Sequence, residues 1–193
     1  MSLVELIAQA DERGLAASGL ACLDRCLPLL GGADDELLRP LWASLADGSE
    51  WAGSLVRARA ALGPAEPAGD EAARLAHRML ETAPAERTEG AVRPWADACS
   101  VASLRIHRLL DPAADGGTDP AVPEGPDAGR AGDTAGLPPL VAAELRRQAA
   151  VLELLAGHGA QGLRRALDVS VEGRRVLRAV VSRRARGAGE PGA

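Results

Sequence analysis

Cys22 and Cys26 stand four residues apart in the stretch GLACLDRCLPLLGG, residues 19–32. That spacing raises two chemistries, a thiolate metal site and a redox pair. A structural zinc needs four ligands, and no further Cys, His or acidic residue nearby has ligand spacing. A disulfide between positions i and i+4 of one helix has poor geometry. At 100° per residue, Leu20, Leu23, Leu27 and Leu30 share one helix face, the two cysteines flank it, and Asp24 and Arg25 fall on the opposite side. The cysteines therefore read as core residues that widen an apolar arc. Cys99 reads the same way, on an arc with Trp95, Ala102, Ile106 and Leu109.

The three histidines, His77, His107 and His158, are isolated in sequence. His107 falls with Ser100 and Ser103 on what reads as the polar, water-facing side of its helix. Ser103 and His107, at i and i+4, could mimic a nucleophile and its base, but such pairs arise often by chance on helices. His158 lies between two glycines where a helix should end. Its loop setting makes it the histidine most open to a functional role. Asp34, Asp35 and Glu36 could hold a cation; they read better as acidic residues opening a helix, where carboxylates satisfy free N–H groups.

Several reaction classes drop out. There is no Lys, hence no phosphate-binding GxxxxGK[ST] loop and no Schiff-base chemistry. GxGxxG, HExxH, GxSxG and the calcium-binding EF-hand loop are absent too. The sequence offers no catalytic residue, no cofactor site and no metal site, and points away from an enzyme without excluding one.

Charge is the most informative feature. Residues 1–130 carry 12 Arg against 21 acids, net −9, and residues 131–193 carry 10 Arg against 6 acids, net +4, which gives the overall −5. Because every one of the cations is Arg, each is a planar fork suited to carboxylates and phosphates. The positive end is concentrated in LRRALDVSVEGRRVLRAVVSRRARG. There Arg174, Arg175, Arg178, Arg183, Arg184 and Arg186 are the candidate contacts to a partner or to phosphates. The basic end could dock on the acidic body or on a second copy, meet nucleic-acid phosphates, or lie on an anionic membrane. A solvated polar face explains it equally well.

The elements that must position these residues are helical throughout. Ser2 with Glu5 predicts a capping box, with Gly14 ending the first helix. A second helix carries the leucine stripe and is kinked or ended at Pro28. Asp34 to Glu36 open a third, Ser49 caps a fourth that stops at Gly63-Pro64, and Asp70 caps a fifth. Pro94 in the first turn begins a sixth that runs to about Leu110. Residues 111–138 hold five Pro, six Gly and five Asp, too little apolar surface to offset ordering entropy, so they read as a disordered linker or long loop. Pro139 starts a seventh helix, GHG at 157–159 ends it, and a last helix, in one or two pieces, follows. No alternation suggests a strand.

The expectation is an all-α fold: an irregular antiparallel bundle of about eight helices, with an array of helical hairpins as the alternative form. Residues 1–110 form a six-helix body, 139–187 pack back on it with a basic end, and 188–193 form a disordered tail. Apolar residues reach 47%, enough for a sizeable core. The lack of Lys and Asn beside abundant Ala, Gly, Arg and Pro suggests a high-GC, bacterial genome. No run of ~18 apolar residues is present to span a bilayer, the N-terminus does not resemble a signal peptide, and three cysteines suit a reducing cytoplasm. The function expected is a non-enzymatic interaction or regulatory module that binds a protein partner or itself. The alternatives are a nucleic-acid-binding accessory protein using the Arg-rich helix, and a small-molecule-binding bundle or an enzyme without a recognisable motif.

Overall fold

A computed structural model describes residues 1–31, 36–63, 70–112 and 126–188. The fold is all-α, with no strand among the described residues. The order is α1 (Leu3–Gln9), α2 (Glu12–Cys26), a 3-10 turn (Leu27–Leu29), α3 (Arg39–Asp47), α4 (Trp51–Leu62), α5 (Glu71–Glu81), α6 (Glu89–Leu110), α7 (Pro126–Ala131), α8 (Pro139–His158), a second 3-10 turn (Gly159–Gly162) and α9 (Leu163–Ala188).

Helix α2 is the axis of the molecule. Every residue from Gly14 to Cys26 is buried, the pattern of a helix packed on all sides. α6, α8 and α9 surround it. Cys22, Cys26 and Cys99 all lie in the core as free thiols. The helix stops at Cys26 because Pro28 cannot donate to the carbonyl of Asp24; the N–H of Leu27 closes the turn on that carbonyl instead. α2 has no room for a side chain at Gly19. A Cβ there would stand 2.5 Å from the Trp95 ring.

Two antiparallel hairpins complete the frame. In the first, α5 and α6 cross so that the indole N–H of Trp95 donates to the Met79 carbonyl at 2.9 Å, while Arg105 pairs with Glu71 at the far end. In the second, α8 turns through Gly159, at φ 52°, into α9. Asp111, at the end of α6, accepts from the Leu140 N–H at 2.7 Å, supplying a cap to α8 that Pro138 cannot give.

Helix starts differ from the sequence reading in instructive ways. The Ser2–Glu5 capping box and the Asp70 cap are present. Gly14 does not end a helix: it sits in the first turn of α2, where its N–H meets the capping Asp11 carboxylate. α3 begins at Arg39 rather than at the acidic run. Asp34 and Asp35 lie outside the described residues, and Glu36 pairs with Arg39 from a turn. α4 begins after Glu50 without a side-chain cap; the Ser49 N–H is taken by Asp47. α6 starts at Glu89 under the Thr88 cap, five residues before Pro94, which therefore lies inside the helix. Of the expected 111–138 loop, residues 113–125 lie outside the described residues, but 126–138 include α7, whose Arg130 is buried and paired with Asp97. Of the expected 188–193 tail, residues 189–193 also lie outside the described residues.

Arginines also add donors to the carbonyls at several helix C-termini. Arg93 reaches the carbonyls of Ile7, Ala8 and Ala10 after α1. Arg13 and Arg87 take Leu45 and Ser44 of α3, and Arg59 takes Leu80, Glu81 and Ala83 after α5. A fork with several donors serves such sites better than a single ammonium.

Candidate functional site

Two polar arrangements stand out, one sealed in the core and one on the outer side of α9. The core cluster centres on Glu144 of α8. Arg25 of α2 grips it through both arms, Nε to Oε2 at 2.7 Å and Nη2 to Oε1 at 2.6 Å, with neither side chain exposed. Ser103 Oγ and Gln148 Nε2 donate to the same carboxylate at 2.8 and 2.9 Å, and Ser100 Oγ donates to Gln148 Oε1 at 2.6 Å. Beside them, Asp24 of α2 accepts from Arg174 of α9 and from the indole N–H of Trp42, each at 2.9 Å.

Burial alone would push the Glu144 carboxyl up. The Arg25 guanidinium, His107 and donated hydrogen bonds outweigh it and hold the group down at about 2. Burial likewise opposes charge on Arg25, and the Glu144 carboxylate overcomes that, so the guanidinium stays charged. His107 is held below its ordinary value, chiefly by burial, against the pull of Glu144 and of the Ser103 carbonyl. Its Nδ1 lies 2.7 Å from that carbonyl and its Nε2 3.5 Å from Glu144 Oε2. The shorter contact assigns the proton of a neutral ring to Nδ1.

This geometry is not a nucleophile–base pair. The Ser103 hydroxyl donates to Glu144, not to His107, and the His107 ring is committed to the Ser103 backbone. Ser100, Ser103 and His107 are buried, not water-facing. Asp24 and Arg25, on the side of α2 opposite the leucine stripe, are buried as well. His77 is buried and borders a surface recess with Arg59 and Glu81, while His158 is exposed at the end of α8 and lies 3.2 Å from the Leu154 carbonyl. Among the described residues no three His, Cys, Asp or Glu side chains converge as metal ligands.

The second arrangement contains most of the candidate arginines. Leu163, Ala166, Ser170, Gly173, Arg174 and Leu177 are buried along one side of α9. Arg174 thus belongs to the core, paired with Asp24, and cannot reach a partner. Arg175, Arg183 and Arg186 are exposed, and Arg178 is half-buried. Arg184, though exposed, donates to the Leu109 carbonyl near the end of α6. With Arg164 and Arg165, also exposed, Arg175, Arg183 and Arg186 fall within an arc of about 100° that runs for about 33 Å. Asp168 and Glu172 interrupt the arc and are themselves exposed.

No protein-family model, curated protein or solved structure matches the chain. No helix among the described residues is long and apolar enough to cross a membrane.

Proposed function

We propose that the protein is a non-enzymatic helical interaction module, and that it recognises an acidic protein surface through the outward arginines of α9. The observation that carries this is the division of α9 into two sides: a buried side locked to α2, and a solvent side bearing Arg164, Arg165, Arg175, Arg183 and Arg186. From Leu163 to Leu177 one side of the helix is buried on the core, and Arg184 ties the exposed last turns to the Leu109 carbonyl, which lowers the ordering cost of binding.

The interleaved Asp168 and Glu172 favour a patterned protein partner over a continuous phosphate backbone, which would repel them. Trp42, Trp51 and Trp95 are all buried, so none offers a stacking platform for bases. The buried thiols and their unpaired state fit a reducing cytoplasm.

The test is affinity capture from nuclease-treated native lysate, with the parent chain and an Arg175→Glu/Arg183→Glu/Arg186→Glu variant compared at low and high salt. A stoichiometric protein, or a second copy of the chain, held by the parent, weakened by salt and lost in the variant is the expected result. Equal capture by the variant, loss of everything on nuclease treatment, or a monomer with nothing bound would reject the proposal. The second of these outcomes would favour nucleic acid.

A further inference from the structure

A cleft of about 320 Å³ opens between α5 and α6, and its lining is apolar except at Arg78 and Thr82. Leu75 and Met79 form one wall, and Pro94, Trp95 and Ala98 the other. The spacing explains the cleft. α6 turns small side chains outward at Ala91, Ala98 and Ala102 along the crossing, while Leu75 and Met79 of α5 stand beside them. The back wall is braced: Trp51 meets Trp95 edge-on at 6.1 Å, and the Trp95 N–H is already bound to Met79.

The rim carries Arg78 and Thr82. The Thr82 hydroxyl donates to the Arg78 carbonyl at 2.8 Å. The Arg78 guanidinium has no hydrogen-bond or carboxylate partner among the described residues, in a chain whose other arginines commonly close helix ends or form ion pairs. The combination is specific: an apolar trough of ligand-binding size, with few polar groups to orient its occupant, and one uncommitted cation at its edge. The apolar lining spans only Ala91 to Ala102 on α6, about 16 Å. A short amphipathic anion suits that length better than a partner helix, which would need a longer stripe.

We propose that this cleft binds a medium-chain aliphatic monocarboxylate, its tail along the Leu75, Met79 and Trp95 lining and its carboxylate on Arg78. The claim is independent of the α9 surface.

The test uses decanoate, with decanol and decyltrimethylammonium as comparators of equal chain length, followed by calorimetry and tryptophan fluorescence on the full chain. Decanoate should bind saturably at one site, about tenfold or more tighter than decanol, since a charge-assisted hydrogen bond is lost with the alcohol. Arg78→Gln should bring decanoate down to the decanol level and leave decanol unchanged. Ala98→Trp, which adds bulk at an exposed helix position, should abolish both while the melting temperature holds. Absence of saturable binding, equal affinity for all three probes, or decanoate binding that survives Ala98→Trp would overturn the proposal.

Discussion

Arg25 and Glu144, 119 residues apart in sequence, form a two-armed ion pair with no exposure to solvent. Removing one partner leaves the other charge buried and alone, which costs about 3–5 kcal/mol. Glu144→Ala should lose about that much in urea unfolding, and more than Arg25→Met/Glu144→Leu, in which both charges go together. If the double variant cost the sum of the two single ones, the pair would be energetically uncoupled.

Acid should weaken the fold in two steps. His107 is held below its ordinary 6.5, so as pH falls past 6.5 the unfolded chain takes a proton that the folded chain refuses. Glu144 is held down from 4.5 to about 2, so between those values the unfolded carboxyl again binds more protons. In both windows the unfolded state gains protons, and stability falls with falling pH. Urea midpoints at pH 7, 5.5 and 3.5 should show both steps. His107→Gln should remove the upper one and keep the lower. An unchanged profile in that variant would assign the upper step elsewhere.

Gly173 makes the Arg25–Glu144 contact sterically feasible. A Cβ there would collide with the Cδ of Arg25 and crowd that of Arg147. Gly173→Ala should therefore destabilise by about 1–3 kcal/mol, the usual cost of overpacking, despite the better helix propensity of Ala. Gly157→Ala, in α8 with open space around it, should be neutral or gain up to about 1 kcal/mol. Equal effects at the two glycines would mean that α9 shifts freely over α2.

The three thiols should be unreactive in the native chain. Burial pushes the Cys22 thiol up to about 12, and it raises Cys26 and Cys99 as well. Thiolate is the reactive form, so a disulfide reagent at pH 7.5 should label nothing until urea unfolds the protein, and then three sulfurs. Rapid native labelling of any one would contradict the packing of α2.

Local signals carried the helical class, the Ser2 and Asp70 caps, the stop at Pro28 and the core role of all three cysteines. Each depends on residues within one turn of one another. What the sequence hid depends on distance. Asp24 and Arg25 fall off the apolar arc, and nothing local marks them as buried, because their partners, Arg174 and Glu144, lie 150 and 119 residues away. Ser100, Ser103 and His107 look water-facing for the same reason, since Glu144 and Gln148 complete them. One signal was available: Glu144 and Gln148 stand at i and i+4 among Val141, Leu145, Val151, Leu152 and Leu155, as a polar stripe inside an apolar helix. Pro94 misled in another way. Proline favours the first turn, but the helix is capped six residues upstream by the Thr88 side chain.

The same ties predict how the chain behaves when cut. α8 and α9 rest on α2 through Arg25–Glu144 and Asp24–Arg174, and Asp111 caps α8. All three join residues on either side of 113–125, so they should hold α8 and α9 in place without covalent continuity there. A protease site engineered into 113–125 and cleaved should leave two fragments that co-elute in size exclusion and separate only in denaturant. Cleavage of a Glu144→Ala chain should release the C-terminal fragment at lower urea, because its anchor on Arg25 is gone. If the parent fragments part in plain buffer, the buried pairs do not supply the binding energy assigned to them, and α8 and α9 are held chiefly by the tether.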